Sequence, residues 1–404
     1  MVRTLRLAVT AGVVTLLGTV GTPTVGAAAV PEGRIVAVPG AEVVPDSYIV
    51  VLRVTTTTAG ATAVNGKAKA LAGRHDAVVR TTFSHALRGF SATMSARQAR
   101  RLAADPSVAY VQPNVVHRIS ATQSNPPSYG LDRIDQRNLP LSSTYAYDRT
   151  ASNVRAYVID TGIRTGHADF GGRASSGFDA VDGGTADDCN GHGTHVAGTV
   201  GGSAYGVAKA VRLIAVRVLD CAGSGTTEQV VAGIDWVTRN AVKPAVANMS
   251  LGGGVDPALD DAVRRSIASG VSYSIAAGNG LLGLIPLDAC TQSPARVAEA
   301  MTVSATDRTD RKPLWANHGR CVDVFAPGID ISSAWNTADG ATNTISGTSM
   351  AAPHVAGAAA LYLSAHPGAS PAQVHAAIVD SATTGAVGGP GLGSPNRLLY
   401  TGDL

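Results

Sequence analysis

Short apolar runs alternate with longer amphipathic segments from about residue 128 onward. Four apolar runs predict buried strands, at residues 154–159, 212–218, 246–249 and 271–277. The amphipathic segments predict helices, at residues 193–202, 225–242 and 257–269. Strands that alternate with helices favour an α/β fold with a doubly wound, mostly parallel sheet and helices on both faces. Ligands bind at the carboxyl ends of the strands in such sheets, so we expect the chemistry of this chain there.

Residues 30–121 show a different pattern, which predicts a small α+β domain of its own. Strands are predicted at residues 47–52, 87–92 and 108–111, and helices at 66–73 and 96–104. Ser95 is predicted to cap the second of these helices. Polar residues predict two linkers, at 55–63 and at 121–127. The second linker would lead into a large domain that spans residues 122–404.

The first 29 residues have the pattern of an export signal. Arg3 and Arg6 precede an apolar run, 7–20, and a small-residue stretch, 26–29, follows. The apolar run is shorter than the roughly 20 residues that a membrane span needs. We therefore expect residues 1–29 to be a signal peptide and the product to be secreted, extracellular and free of the membrane.

Composition adds two constraints. The 404 residues carry 32 basic and 29 acidic side chains without a basic cluster, so no nucleic-acid partner is expected. The chain has four cysteines. An even number of cysteines in an exported chain implies disulfides, with three possible connectivities.

The stretch 347–357, Gly-Thr-Ser-Met-Ala-Ala-Pro-His-Val-Ala-Gly, is predicted to start a helix at about Ser349. Pro353 is expected within the first turn of that helix, where no N–H is needed. Free N–H groups and the positive end of the helix dipole would then surround the Ser349 hydroxyl, which suits a nucleophile. An isolated Gly-x-Ser is far more often a simple helix N-cap than a nucleophile, so the assignment depends on the rest of the chain.

Two further strand ends carry catalytic residue types. Asp160 follows a predicted strand, and His192 leads into a helix between glycines. Together with Ser349 they predict a triad in which the serine attacks a carbonyl, the histidine removes its proton and the aspartate fixes the histidine tautomer. The order Asp, His, Ser argues against an α/β-hydrolase esterase. A zinc site at His192 and His195 would need further ligands, and the HExxH motif is absent.

Asn279 ends another predicted strand and lies between two glycines. Its side-chain amide is expected to join the Ser349 N–H in an oxyanion hole.

Four motifs in this order resemble those of the subtilisin-like serine proteases. The motifs are Asp160-Thr-Gly, His192-Gly-Thr-His195, Ala276-Ala-Gly-Asn279 and Gly347-Thr-Ser-Met350. The chain is most similar to the proteinase K and aqualysin branch, from residue 123 to about residue 399, and residues 45–117 resemble the inhibitory prosegment of those enzymes. The resemblance implies a monomeric, secreted serine endopeptidase that cleaves protein and peptide substrates. It also implies a zymogen that cuts itself near residues 121–123 and is then inhibited by its own propeptide.

The resemblance also assigns roles to further residues. The backbone of the substrate would pair with Gly223, Ser224 and Gly225. The pocket for the residue before the scissile bond would be lined by Ser250, Leu251, Gly252, Ala276, Ala277 and Gly278. The implied disulfides are Cys189–Cys221 and Cys290–Cys321. No catalytic cofactor is implied, but structural Ca²⁺ is, with one site at Asp323, Ala298 and Ala300 and a weaker one at Asp132, Asp135 and Gln136.

Two features depart from the relatives. Ala352 stands where they usually have Thr. An apolar stretch, 281–287, replaces a short polar loop after Asn279, and it would either extend the substrate-binding rim or pack onto the surface. A non-catalytic peptide-binding protein on the same scaffold is the competing function, although all four catalytic positions carry the required residue.

Overall fold

The computed structural model describes residues 32–38, 43–53, 61–115 and 121–404, and the predicted signal peptide lies outside them. The chain divides into two compact units, residues 1–116 and residues 117–404. None of the helices in the described residues has the length and apolarity needed to cross a membrane.

The first unit packs two helices against one antiparallel sheet in the order β2-β3-β1-β4. Its elements are β1 (Val43–Leu52), α1 (Ala61–Arg74), β2 (Val78–Phe83), β3 (Gly89–Thr93), α2 (Ala96–Ala103) and β4 (Val108–Val115). Alternate residues of the strands and one face of each helix form its core, with Val50, Phe90, Leu71 and Leu102 fully buried. Ser95 and Gln98 form a capping box at the start of α2, as a Ser followed three residues later by Gln predicts.

The prediction for residues 43–124 was wrong at three points. Helix α1 begins at Ala61, so residues 61–63 are helix and not linker; residues 54–60 lie outside the described residues. Strand β2 was missed, because its six residues alternate weakly and are at most half-buried. Residues 121–124 were predicted as linker, yet they form strand β5 (Ala121–Ser124) of the second unit, which pairs with β6 (Thr144–Tyr147).

The second unit is built on a nine-stranded sheet in the order β16-β17-β13-β12-β11-β10-β7-β9-β8. All neighbours in this sheet are parallel except β16 and β17, so the predicted doubly wound fold is confirmed. The strands of this sheet are β7 (Arg155–Asp160), β8 (Ala174–Asp179), β9 (Arg212–Arg217), β10 (Ala245–Met249), β11 (Ser272–Ala276), β12 (Met301–Thr306), β13 (Val324–Pro327), β16 (Thr383–Thr384) and β17 (Arg397–Leu398). A separate hairpin pairs β14 (Ile331–Ala334) with β15 (Thr342–Ile345).

The helices cover both faces of the large sheet and divide its core in two. They are α3 (Tyr129–Ile134), α4 (His192–Gly201), α5 (Thr227–Asn240), α6 (Pro257–Ala268), α7 (Thr348–Ala365) and α8 (Pro371–Ser381). One core cluster includes α4, α7 and α8, and the other includes α5 and α6. The chain therefore has the three-layer arrangement that its alternating pattern predicts.

Helix α7 is the buried central helix of this unit. Alanine fills most of its middle, so its backbone can lie close to the sheet, and Ala351, Ala352, Ala356 and Ala359 are fully buried. The helix begins at Thr348, one residue before the prediction. Pro353 is the sixth residue of the helix, so the expectation that it lies in the first turn was wrong.

Candidate active site

Asp160 and His192 are brought together by the end of β7 and the start of α4. Asp160 is the last residue of β7 and is completely buried, and His192 is the first residue of α4. The Nδ1 atom of His192 lies 2.7 Å from Oδ1 of Asp160. Helix α4 can approach β7 this closely because residue 193 is glycine: a Cβ there would collide with the carbonyl of Gly162.

The charge state of His192 is set by its acidic neighbours. Burial would lower the pKa of this imidazole, but the charge of Asp160, its hydrogen bond and the charge of Asp188 outweigh burial and raise the pKa above its ordinary value. Oδ1 of Asp160 also accepts the Thr161 N–H at 2.8 Å. The aspartate is thereby held in one orientation against the imidazole.

Asp188 organises the turn before α4, and sequence reasoning missed it. Its Oδ1 accepts the backbone N–H groups of Asn190 and Gly191 at 2.9 and 2.8 Å, and its Oδ2 accepts the backbone N–H and the hydroxyl of Thr194 at 2.9 and 2.6 Å. The Thr161 hydroxyl donates to Oδ1 as well, at 2.9 Å. An Asp two residues before Asn-Gly is an ordinary turn signal, which could have indicated this role.

Ser349 is the second residue of α7. Its N–H group has no acceptor among the described residues, as expected for the first turn of a helix. Its hydroxyl donates to the carbonyl of Ser250 at 3.2 Å, and the Ser250 hydroxyl donates in return to the carbonyl of Ser349 at 2.7 Å.

Asn279 is fixed by the first residue of α7. Its Oδ1 accepts both the N–H and the hydroxyl of Thr348, each at 2.9 Å. Because the oxygen is held in this way, the NH₂ group of Asn279 is turned away from Thr348, and it has no acceptor among the described residues. Two N–H donors, from Asn279 and Ser349, therefore remain available beside one cavity.

Two adjoining cavities make a continuous cleft. The larger, of about 670 Å³, contains His192 together with Gly223, Ser224, Gly225, Ser250, Leu251 and Gly252. The smaller, of about 280 Å³, contains Asn279 and Ser349 together with Ser250, Leu251, Gly252, Ala276, Ala277 and Gly278. The two cavities share the 250–253 segment, and together they are lined by every residue predicted for the oxyanion hole and for substrate binding and by two residues of the predicted triad, His192 and Ser349. The third triad residue, Asp160, lines neither cavity and contacts His192 from behind.

Both predicted disulfides are present. Cys189 is bonded to Cys221, and Cys290 is bonded to Cys321. No cysteine among the described residues is free.

The residues predicted to bind calcium form two groups in different parts of the unit. Asp323 accepts the Thr302 N–H at 2.8 Å through Oδ2, and its Oδ1 lies 3.3 Å from Nε2 of His375. Ala298 shares a cavity with Asp323, while Ala300 is buried. In the described part of the chain, no three His, Cys, Asp or Glu side chains are arranged as a metal site.

The second group surrounds a buried carboxylate. Asp132 accepts the N–H and the hydroxyl of Ser142 through Oδ1, each at 3.0 Å, and Gln136 accepts the same N–H. Asp135 accepts the Ala146 N–H through Oδ2, but its Oδ1 is buried without a partner among the described residues. Burial raises the pKa of Asp135 to about 6, and the charge of Asp132 acts in the same direction.

Comparison with known proteins agrees with this geometry. Residues 152–396 match the subtilase family, Peptidase S8, and residues 47–120 match the peptidase inhibitor I9 family. An extracellular serine proteinase of Thermus sp. (strain Rt41A) is 54% identical over 330 residues, which cover 81% of this chain and 79% of that protein. Alkaline serine exoprotease A of Vibrio alginolyticus is 52% identical over 338 residues, which cover 82% of this chain but only 62% of the length of that relative.

A solved structure shows the same fold. The crystal structure of a cold-adapted subtilisin-like serine proteinase is 54% identical to this chain, with a TM-score of 0.65, and the match covers 68% of this chain and 97% of that one. The chain therefore belongs to the subtilase family and is a subtilisin-like serine endopeptidase, whose sequence carries a peptidase inhibitor I9 segment N-terminal to the peptidase segment.

Proposed function

We propose that Ser349 is the nucleophile, His192 the general base and Asp160 the residue that orients the imidazole. The observation that carries this assignment is the 2.7 Å contact between Asp160 and Nδ1 of His192, which leaves Nε2 to accept a proton in the cleft. The Ser349 hydroxyl donates to Ser250 in the absence of substrate. Catalytic hydrogen bonds of this kind often form only when substrate is bound.

The reaction follows from these positions. The Ser349 hydroxyl attacks the scissile carbonyl while Nε2 of His192 takes its proton, and a negative charge develops on the carbonyl oxygen. The N–H of Ser349 and the NH₂ of Asn279 are the two unpaired donors that would bind this oxyanion. His192 then protonates the departing amine, and a water molecule, activated by the same imidazole, releases the acyl group from Ser349.

The substrate is an extended polypeptide. Gly223, Ser224 and Gly225 line one side of the larger cavity, and Ser250, Leu251 and Gly252 line both cavities. We propose that the substrate backbone pairs with these segments as an added strand. Ala276, Ala277 and Gly278 would form the wall that faces the side chain before the scissile bond.

Hydrolysis of casein is the direct test of this function. The protein is expected to cleave casein and to lose this activity after treatment with a sulfonyl fluoride, which modifies an activated serine. Ser349→Ala should be inactive and unmodified, while the control Ser332→Ala, at a serine outside the cleft, should keep full activity. A Ser349→Ala variant that still hydrolyses casein would contradict the assignment.

We further propose that residues 1–29 direct secretion and that residues 30–121 are an inhibitory propeptide. The inhibitor I9 match over residues 47–120 and the extracellular relative from Thermus support these roles. Ser349 would itself cut the chain near residues 121–123, and the released propeptide would stay bound until it is degraded.

Self-processing is tested by expressing Ser349→Ala in a host without other secreted proteases. The variant should accumulate with its propeptide attached, and addition of a small amount of the active enzyme should then release it. Maturation of Ser349→Ala at the same bond without added enzyme would refute self-processing but not the protease function.

Calcium is proposed as a structural ion only. The group formed by Asp132, Asp135 and Gln136 fits such an ion. Asp135 has a buried side-chain oxygen without a partner among the described residues, and calcium prefers oxygen ligands. Calcium there would stabilise the two carboxylates. At Asp323, the His375 imidazole lies against the carboxylate and would compete with a cation. A calcium site at Asp323, Ala298 and Ala300 therefore stays a prediction that no unpartnered oxygen supports.

A further inference from the structure

Residues 281–287 form a closed apolar hairpin directly after the oxyanion-hole residue Asn279. We call this segment the leucine loop. Leu281 donates its N–H to the carbonyl of Ile285 at 2.8 Å, and Ile285 donates to the carbonyl of Leu281 at 3.2 Å. A third bond, from Leu284 to the same carbonyl at 3.0 Å, tightens the turn. The loop is therefore a defined structure whose shape depends on its own backbone.

The side chains of the leucine loop are exposed. Leu281, Leu282, Leu284 and Ile285 keep 54%, 87%, 73% and 60% of their accessible surface. The alternative that the loop packs onto the surface of the enzyme is thus wrong. Four large apolar side chains within five residues form the kind of contiguous exposed patch that marks an interaction site.

Leu282 is also held in an unfavourable backbone conformation. Its φ is +54°, in the left-handed region, where leucine is disfavoured and asparagine or glycine is favoured. The side chain is 87% exposed, so no packing within the chain offsets this strain. The hairpin turn itself imposes this conformation, because Leu282 and Gly283 (φ +67°) are the two central residues of a turn that needs positive φ at both. A leucine in place of the asparagine or glycine that such a turn favours puts an apolar side chain at the exposed tip of the loop.

One end of the loop borders the substrate cleft, and the other is bonded to it. Gly280, just before the loop, lines the smaller cavity together with Ser349, whereas none of residues 281–287 does. Leu287 is tied to the wall of that cavity: its N–H donates to Oδ1 of Asn317 at 2.8 Å, and Nδ2 of Asn317 donates to the carbonyl of Ala277 at 2.8 Å. The loop is therefore continuous with the cleft but projects outside it.

The chemistry of the loop selects one class of partner. Residues 280–287 contain no charged side chain, so the loop offers nothing to a phosphate headgroup. An apolar surface next to the cleft can instead contact apolar side chains of a polypeptide substrate, in the part of the substrate chain that continues beyond the cleft.

We infer that the leucine loop is an exosite that binds apolar side chains of an extended polypeptide substrate, outside the residues held in the cleft. The inference rests on the endopeptidase function proposed above. The exosite would favour unfolded, apolar segments of proteins over short peptides, because only a long chain reaches both the cleft and the loop.

The test compares two substrates and one double variant. Leu282→Asn with Leu284→Ser removes two apolar side chains, and asparagine suits the left-handed backbone at residue 282, so the variant should fold. For unfolded casein, KM should rise about tenfold with kcat unchanged, the size expected when two leucines bury part of their surface. For a tetrapeptide anilide that fills only the cleft, kcat/KM should not change. Val242→Ser, at an exposed valine before β10, is the matched control and should alter neither.

Other outcomes separate the possible failures. Equal losses on casein and on the tetrapeptide would mean that the variant distorts the cleft, and unchanged casein kinetics would mean that the loop binds no substrate; either result overturns the exosite. Loss of co-sedimentation with phosphatidylcholine vesicles, with casein kinetics unchanged, would assign the loop to lipid instead. If the unaltered protein cleaved neither the tetrapeptide nor casein, the proposed function itself would be wrong.

Discussion

Ser250 and Ser349 exchange hydrogen bonds: each hydroxyl donates to the carbonyl of the other residue, at 2.7 Å from Ser250 and 3.2 Å from Ser349. The Ser349 carbonyl is available because Pro353, four residues later, has no N–H to donate to it. The proline thus leaves an acceptor in the first turn of α7, and the cleft segment at Ser250 supplies the donor. This pair couples the nucleophile to the substrate-binding segment.

Ser250→Ala should therefore destabilise the enzyme. The substitution leaves the Ser349 carbonyl without its donor, and it also removes the acceptor of the Asn248 amide, which donates to Ser250 at 2.8 Å. Loss of partners for buried polar groups should lower the free energy of unfolding by about 1–3 kcal/mol. Urea unfolding in a Ser349→Ala background, which prevents autolysis, measures this change. Ser332→Ala in the same background should change it by less than about 0.5 kcal/mol, and a similar loss at both sites would refute the special role of Ser250.

Thr348 is predicted to position the oxyanion-hole amide. Thr348→Val is close to isosteric but removes the hydroxyl bonded to Asn279, so the amide should lose part of its orientation. We expect kcat to fall about fivefold, the equivalent of one neutral hydrogen bond, while KM stays constant. Thr348→Ser should restore kcat. The Thr348 hydroxyl also accepts the N–H of Gly278 at 3.0 Å, so a rise in KM would instead assign its main effect to that wall of the cavity. If the serine variant fails to rescue kcat, Thr348 contributes only to packing.

Asn279→Ala should have a larger effect than Thr348→Val, because it removes the donor itself. Loss of the corresponding asparagine in a subtilisin lowers kcat by about 10²–10³-fold. Steady-state kinetics on the tetrapeptide anilide would measure this difference. Equal effects of the two variants would mean that Asn279 does not donate to the oxyanion.

The acidic limb of the pH profile should lie above pH 6.5. Catalysis needs the neutral imidazole of His192, so kcat/KM falls as the pH drops through its pKa. Because Asp160 and Asp188 raise that pKa, the midpoint should exceed the ordinary value of 6.5. Asp160→Asn should move the midpoint to lower pH and reduce kcat by about 10⁴-fold through the wrong tautomer. An unshifted midpoint in Asp160→Asn would show that the charge of Asp160 does not control the imidazole.

The two disulfides should differ in their effect on catalysis but not on stability. They close loops of similar size, with sequence separations of 32 and 31 residues, so each should contribute roughly 3–4 kcal/mol in the chain-entropy account. Cys189–Cys221 lies between the Asp188 turn and the Gly223 segment of the cleft. Replacement of both its cysteines by serine should therefore raise KM for the tetrapeptide anilide, whereas the same change at Cys290 and Cys321 should not. Equal KM values in the two variants would refute the link to the cleft.

Much of the site could be predicted because its residues occur at positions that local signals mark. Asp160 ends a strand, His192 and Ser349 begin helices, and their order along the chain matches one family of motifs. The positions of Thr348 and Asp188 were not predicted as functional, because a threonine or aspartate at a turn has the same local signal whether or not it supports a catalytic residue. Only the contacts with Asn279 and Thr161 distinguish them.

Two of the errors in the predicted fold have a common physical cause. The strand Ala121–Ser124 lacks an apolar pattern, because its stability comes from pairing with Thr144–Tyr147 and not from burial. Pro353 was assigned to a first turn by a local rule, yet the Ser250 hydroxyl compensates for the missing hydrogen bond. In both cases a contact between distant segments outweighed the local preference.

Calcium bound at Asp135 should reverse the effect of one substitution. In the presence of calcium, Asp135→Asn removes a ligand and should lower the Tm. In the presence of a chelator, the same variant should be at least as stable as the unaltered protein. The substitution removes the negative charge from Oδ1 of Asp135, which is buried without a partner among the described residues. The unaltered protein itself should lose roughly 5–10 °C in Tm on chelation, if calcium is present at about 100 times its Kd. Melting curves of both proteins in the Ser349→Ala background provide the measurement, with Asp323→Asn as the comparison at the other predicted site. If the chelator leaves the Tm of the unaltered protein unchanged, or if it destabilises Asp135→Asn as much, calcium does not bind at Asp135.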